Sequence, residues 1–576
     1  MKQLMLGNDA VARGLYEAGV RYVSSYPGTP STEITERVAL YPEVYAEWAP
    51  NEKVALESAL GASIAGARAF CGMKHVGLNV AADPLFTASY TGVGAGLVVC
   101  VADDPGMHSS QNEQDSRHYA EGAKLLMLEP ADSGECRDFT AAAYELSERF
   151  DTPVLLRMAT RIAHSQSLVE PKERMDDTLK PYEKNPAKYV MMPAYARGRH
   201  TVVEARERAL REYVETTPLN RIEYHDKKLG VICAGASYMY CREALGESAS
   251  YLKLGVVYPL PEKLIREFAA NVDRLVVAEE LDPVIERHVR ALGVSCEGKS
   301  LFPMEGELSQ TIVRRALGLP ALPSAAYPEK IPPRPPVMCA GCPHRGLFYL
   351  LKKLGLTVFG DIGCYTLGAA APLQAIDTVV CMGASISGMH GFLKARPEAA
   401  NKTVAVIGDS TFMHSGLTGL ADIVYNKGCG TVIIADNSIT GMTGHQQNPT
   451  TGLTLQMEET TIVDIEAVCR GIGIKRLVVV DPNDLKAMEK ALREETAAAE
   501  PSVIISRHPC ALLKGVKHRA PFSVDSAACK SCRMCLKIGC PAIALRDGKA
   551  FIDPAQCVGC GLCTQLCPFG AIKEGD

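Results

Sequence analysis

Eight of the 21 cysteines in this 576-residue chain fall between Cys529 and Cys567, in two runs that each end at a proline. The first is Cys529-x2-Cys532-x2-Cys535-x4-Cys540-Pro541 and the second Cys557-x2-Cys560-x2-Cys563-x3-Cys567-Pro568. In a short secreted chain such density means disulfides. In a long chain without a signal peptide it means metal. Three cysteines at two-residue gaps wrap a tight loop round one body, a distant fourth closes it, and the prolines turn the chain away. A single zinc ion takes four thiolates and needs no interlocked set of eight. The isolated cysteines Cys71, Cys100, Cys136, Cys233, Cys241, Cys296, Cys429 and Cys469 lie in apolar or helical stretches and read as small buried hydrophobes.

The doubled run resembles the bacterial two-cluster ferredoxin, in which the fourth cysteine of each run ligates the other cluster. The resemblance implies one [4Fe–4S] cluster on Cys529, Cys532, Cys535 and Cys567, and a second on Cys557, Cys560, Cys563 and Cys540. The first run departs from the pattern by one extra residue before its last cysteine. A relay of clusters moves electrons singly and does no carbon chemistry, so the rest of the chain must supply the electrons.

Length predicts several domains. Residues 1–165 alternate helical patterns with the apolar runs VRYVSSYP, KHVGLNVAA, GLVVCVADDP and TPVLLRMATR. This is the pattern of a parallel sheet covered on both faces. Residues 166–226 read as a connector with one exposed helix, and 227–318 as a second α/β unit. Seven prolines from Pro320 to Pro336 mark a linker over 319–336. Residues 337–515 carry DTVVCMGAS, KTVAVIGDS, GTVIIADNS, RLVVVDP and PSVIISRHP as strands of a third unit, and 520–576 form the cysteine module. A net charge of -5 with no basic stripe speaks against nucleic acid. No apolar run is long enough to span a membrane, and the start has no leader pattern, so a cytoplasmic location is expected.

Gly408-Asp409-Ser410 ends a strand pattern, and Asn437 follows 28 residues after Asp409 in Asp436-Asn437-Ser438-Ile439-Thr440-Gly441. This resembles the thiamine-diphosphate motif, with Ser410 replacing its last glycine and Asp436 its first asparagine. The resemblance implies Asp409, Asn437 and the Ile439 carbonyl as ligands of Mg2+ or a similar divalent cation on the diphosphate. The continuation through Thr443, Gly444, His445 and Gln446, and the turn Tyr26-Pro27-Gly28-Thr29-Pro30-Ser31, are similar to segments of ferredoxin-dependent 2-oxoacid oxidoreductases. There the threonine, here Thr29, approaches cofactor and substrate. Glu52, nine residues before Gly61, matches the glutamate that promotes the reactive tautomer of the aminopyrimidine; its alternative is a solvated carboxylate at a helix start. His344, His414 and His445 are candidates for proton traffic, and His445 is taken as catalytic; each could instead be a structural hydrogen-bonding histidine.

Cys339-x2-Cys342, Cys364 and Cys510 resemble the segments that give the family a third [4Fe–4S] cluster beside the cofactor, although a branch could keep the cysteines without it. Taken with YPGTPSTEI, KHVGLNVAADPL, DDPGMHSSQNEQDSRHYA, CAGCPHR and DIGCYTLG, the chain resembles the alpha subunits of indolepyruvate:ferredoxin oxidoreductases. That implies an α/β chain of thiamine-diphosphate-binding and transketolase-C-like domains ending in a two-cluster ferredoxin domain. It further implies a smaller, gamma-domain-like beta subunit in an α2β2 assembly, ferredoxin as electron partner, and coenzyme A as co-substrate. A non-oxidative thiamine decarboxylase and an electron-transfer scaffold are the rival readings.

Overall fold

Parallel strands buried on both faces need continuous apolar runs, and three sheets in this chain meet that need. The computed structural model describes residues 2–575 except 177, 324 and 326. The expectations for Met1, Asp177, Ser324, Ala326 and Asp576 therefore lie outside the described residues. The chain divides into two units, residues 1–328 and 329–576.

The first unit is built on a seven-stranded sheet ordered Val256–Tyr258, Met127–Leu128, Val154–Ala159, Leu97–Asp103, Ala69–Lys74, Tyr22–Ser25, Tyr45–Trp48. Its strands run parallel except Val256–Tyr258, which pairs antiparallel with Met127–Leu128. Residues 256–258, expected in the second α/β unit, thus extend the first sheet. The apolar run KHVGLN is also not a strand: Ala69–Lys74 before it forms the strand, and His75–Val80 is helix.

The second sheet of this unit is ordered Leu275–Ala278, Gly230–Ala234, Ser250–Leu254, Arg221–Glu223. Buried charge ties it to the first. The Arg157 guanidinium pairs with Asp103 at 2.7 Å and Glu129 at 2.7 Å, and Arg117 pairs with Asp115 and reaches Glu279 at 2.6 Å. The two arginines hold the Asp115 carboxyl well below the usual carboxylate range, although burial opposes them. The segment read as a connector carries more structure than expected. Gln166–Val169 pairs with Gln3–Leu6, and the helix Pro193–Tyr213 buries Val203 and Leu210 while Arg206 donates to the Ser89 carbonyl at 2.8 Å.

The second unit holds a five-stranded, all-parallel sheet ordered Thr357–Phe359, Thr403–Gly408, Thr431–Asp436, Ser502–Arg507, Arg476–Val480. Burying each of its Val and Ile side chains contributes roughly 1.5–3 kcal/mol. The expected strand DTVV is absent: only Thr378 bridges Phe359, and Val380 is 68% exposed. Two short hairpin-like pairings, Phe522–Val524 with Ile572–Glu574 and Ile543–Arg546 with Lys549–Ile552, frame the cysteine module. Of the isolated cysteines, Cys296 and Cys429 are half-buried and the others are buried. Among the described residues no helix is long and apolar enough to cross a membrane.

Candidate active site

In an open parallel sheet, ligands bind beyond the C-terminal ends of the strands. Asp409 follows Thr403–Gly408 and Asn437 follows the adjacent strand Thr431–Asp436, with Gly408 opposite Ala435 in register. Asp409 is 2% exposed. Burial, and then the charge of Asp436, pushes its carboxyl up to about 7. Asn448 Nδ2 and Thr450 Oγ1 each donate to Asp409 Oδ2 at 3.4 Å. Gly408 is required because the Tyr365 ring lies against it; a Cβ there would come within 2.6 Å of the ring.

Both departures from the thiamine motif are matched locally. Ser410 Oγ accepts from Thr440 Oγ1 at 2.9 Å, and Asp436 is paired with Arg507 of the neighbouring strand at 2.8 Å. The Asn437 amide can face either way. In one orientation its nitrogen donates to the Ile439 carbonyl at 2.8 Å and to Asp409 Oδ1 at 3.3 Å. In the other its nitrogen approaches His344 Nε2 at 3.4 Å, and its oxygen meets those same two oxygens. Burial lowers the His344 imidazole to about 4.

Separations of 2.8–3.3 Å between the Asn437 amide position and the two oxygens match the edges of an octahedron with metal–oxygen bonds of roughly 2.1 Å. The carboxylate, amide and carbonyl fit a small divalent cation.

Cys510 is hung on the same loop: its N–H donates to the Asn437 carbonyl at 2.9 Å. Cys339, Cys342, Cys364 and Cys510 lie within one another's electrostatic reach, 364 with both 510 and 339, and 342 with both 364 and 339. Burial pushes the Cys342 thiol up to about 12 and Cys364 up to about 11. Ligation there must displace protons. His445, exposed, has Nε2 3.9 Å from Cys510 Sγ. His414 is buried and contacts the Ser415 hydroxyl at 2.6 Å, a structural contact.

The eight C-terminal cysteines surround two cavities. One is lined by Cys529, Cys532, Cys535 and Cys567. The other is lined by Cys540, Cys557, Cys560 and Cys563 together with Ala340, Gly341 and Arg345. Among the described residues no three His, Cys, Asp or Glu side chains close on one point as a single ion requires. Two rings of four thiols suit clusters. The extra residue in the first run is absorbed by the turn Met534–Ile538, which ends on Gly539 at φ +68°.

In the first unit, Glu52 opens the helix Glu52–Ile64 behind an Asn51 cap and is 4% exposed. It packs against Gly77, where a Cβ would come within 2.5 Å of its carboxylate. Thr29 is half-buried, and its carbonyl accepts from Ser109 Oγ at 3.4 Å. Lys74, in the same segment as Gly77, was not singled out in the sequence. Burial lowers its ammonium to about 8.

Family models agree with this arrangement. Residues 13–224 match "Pyruvate flavodoxin/ferredoxin oxidoreductase, thiamine diP-bdg", residues 361–506 "Thiamine pyrophosphate enzyme, C-terminal TPP binding domain" and residues 550–573 "4Fe-4S binding domain". Indolepyruvate oxidoreductase subunit IorA of Archaeoglobus fulgidus is 39% identical over 99% of this chain and 97% of its own. The subunit of the same name from Methanothermobacter thermautotrophicus is 40% identical, with the same coverage. The chain belongs to the IorA family. It is a thiamine-diphosphate, iron–sulfur 2-oxoacid:ferredoxin oxidoreductase subunit. It carries both thiamine domains and the 4Fe–4S domain in one polypeptide. The chain also spans 65% of a solved 2-oxoglutarate:ferredoxin oxidoreductase chain from Magnetococcus marinus, which covers 55% of this one at 19% identity and a TM-score of 0.48.

Proposed function

We propose that the chain oxidises arylpyruvates, indolepyruvate foremost, with coenzyme A to the arylacetyl-CoA and CO2. One proton is released, and two electrons leave singly for ferredoxin. The reading draws its substrate from the relatives' name, indolepyruvate oxidoreductase. Its redox half rests on one observation: two rings of four cysteines, the inner one sharing its cavity wall with the Cys339–Cys342 loop.

When bound, thiamine diphosphate supplies a carbon nucleophile and electron sink for decarboxylation, and the clusters take up the electrons. Asp409, Asn437 and the Ile439 carbonyl would hold Mg2+ on the diphosphate. Glu52 would hold the aminopyrimidine by a hydrogen bond, its carboxylate kept in place by burial against Gly77. Thr29 would position the substrate, and His445 would move a proton. Cys339, Cys342, Cys364 and Cys510 would hold a third cluster, and the sites of Cys540, Cys557, Cys560 and Cys563 and of Cys529, Cys532, Cys535 and Cys567 would hold two more, a set able to carry electrons singly. Of these twelve, Cys339 and Cys532 are exposed. A smaller beta subunit completes an α2β2 enzyme.

The test is viologen reduction by the chain co-expressed with its small partner without oxygen, using several 2-oxoacids with and without coenzyme A. Reduction that requires coenzyme A and favours arylpyruvates is expected. Loss of CO2 from arylpyruvates at an undiminished rate without an acceptor would overturn the reading in favour of a decarboxylase.

A further inference from the structure

The first unit contains two buried lysines in contrasting states. Lys253, with a fully buried side chain, is paired with Glu135 at 2.5 Å. Lys74, 8% exposed at the end of the strand Ala69–Lys74, makes no ion pair among the described residues. Its Nζ donates to the Ser109 carbonyl at 2.6 Å and to Ser109 Oγ at 3.3 Å, both uncharged. The nearby carboxylate, Asp104, is committed elsewhere. Its Oδ2 accepts from the Ser109 N–H at 2.9 Å and Ser110 Oγ at 2.6 Å, and its Oδ1 from Thr160 Oγ1 at 2.7 Å.

An ammonium has three N–H groups, and Ser109 takes two of them. Burying such a charge without a contacting counter-ion is costly, so a chain that keeps one has use for an anion from outside. The place is informative. Gly28 lies against the Lys74 side chain, with a Cβ there only 3.1 Å from Lys74 Cβ, and Ser109 Oγ reaches the Thr29 carbonyl at 3.4 Å. Lys74 and Thr29 therefore share Ser109 as a common partner. Three residues on, Gly77 touches Glu52.

We propose that Lys74 binds the carboxylate of the 2-oxoacid, its free N–H and positive charge completing a pair beside Thr29. The proposal rests on the functional reading above, which places the substrate at Thr29. It assigns Lys74 the part of the substrate common to all 2-oxoacids, and leaves the choice of side chain to other residues. Because the carboxylate loses its charge as CO2 departs, the contact belongs to the bound substrate and acts on KM more than on kcat.

The test uses the complete enzyme with its partner subunit, comparing the wild type with Lys74→Met and Lys74→Arg. Calorimetric binding of an arylpyruvate and of its neutral 2-oxoamide, without coenzyme A or acceptor, reads the carboxylate contact directly. The wild type is expected to prefer the acid at least 30-fold. Lys74→Met should bind acid and amide within about threefold of each other, and Lys74→Arg should keep most of the preference. In viologen reduction the KM for the arylpyruvate rises at least tenfold in Lys74→Met, while that for coenzyme A is unchanged. An unaltered acid preference in Lys74→Met overturns the assignment, as does an equal loss in both variants. A wild type that oxidises no 2-oxoacid overturns the functional reading, and the assignment with it.

Discussion

Arg345 joins Cys339 to Ile538: its Nη2 donates to the Cys339 carbonyl at 2.9 Å, and its Nη1 to the Ile538 carbonyl at 3.1 Å. The same guanidinium also serves the carbonyls of Met338 and Gly539. It is 3% exposed, and burial raises the thiols of both Cys342 and Cys560 while the charge of Arg345 works against that rise. One cation thus fastens the loop of the Cys339 site to the loop that ends at Cys540. Arg345→Met strands buried carbonyls at a cost of roughly 1–3 kcal/mol each where water cannot replace the donor. The unfolding midpoint of the variant should fall, and potentiometric titration should show the clusters on both sides of Arg345 shifted to lower potential.

Asp409→Ala removes the carboxylate of the proposed cation site. Binding of thiamine diphosphate, followed by fluorescence against Mg2+ concentration, should weaken about 100-fold or more, in the range that loss of a metal ligand or its support produces. Unchanged Mg2+ dependence would remove Asp409 from the site.

Glu52→Gln keeps the size and burial of the side chain and discards its charge. The expected result is cofactor binding close to wild type, with turnover reduced about 10²–10⁴-fold, the usual span of a lost acid–base group. Turnover within threefold of wild type would restore the helix-start reading of Glu52.

Cys364→Ser separates a third cluster from a set of cysteines kept without one. Anaerobically purified variant should carry about four fewer iron atoms per chain than wild type if a [4Fe–4S] cluster sits there. Equal iron would mean that the four cysteines hold none.

Glu280 gives a pH dependence of stability. Burial raises its carboxyl from the ordinary 4.5 to about 7, although the Leu308 N–H and Arg157 work against burial. Between those values the folded state holds a proton that the unfolded state has released. Stability therefore falls as pH rises from about 4.5 to 7 and levels off above, by an amount on the order of 1–3 kcal/mol. Glu280→Gln should flatten that part of a denaturant-midpoint profile.

How much could be read in advance follows from how local each feature is. The cysteine runs were legible because cluster ligation fixes ligand spacing along the chain, and the parallel sheets because runs such as TVAVI and TVIIAD are apolar throughout. KHVGLN misled because apolar content does not separate a short helix from a strand. DTVV failed as a strand because only Thr378 reaches the sheet edge, at Phe359, and Val380 stays exposed. Arg345 was invisible as a clamp, since its carbonyl partners at Ile538 and Gly539 lie 193 and 194 residues away. Lys74 stood inside a quoted motif, but only its missing counter-ion set it apart, and that is a property of the fold.

Asn437 ties two loops together with different atoms. Its backbone carbonyl accepts from the Cys510 N–H at 2.9 Å, while its side-chain amide lies beside Asp409 and the Ile439 carbonyl. A group bound by the amide would therefore stiffen the turn that carries Cys510, and a group bound by Cys510 would stiffen the amide's turn in return. Filling either place should make the other easier to fill.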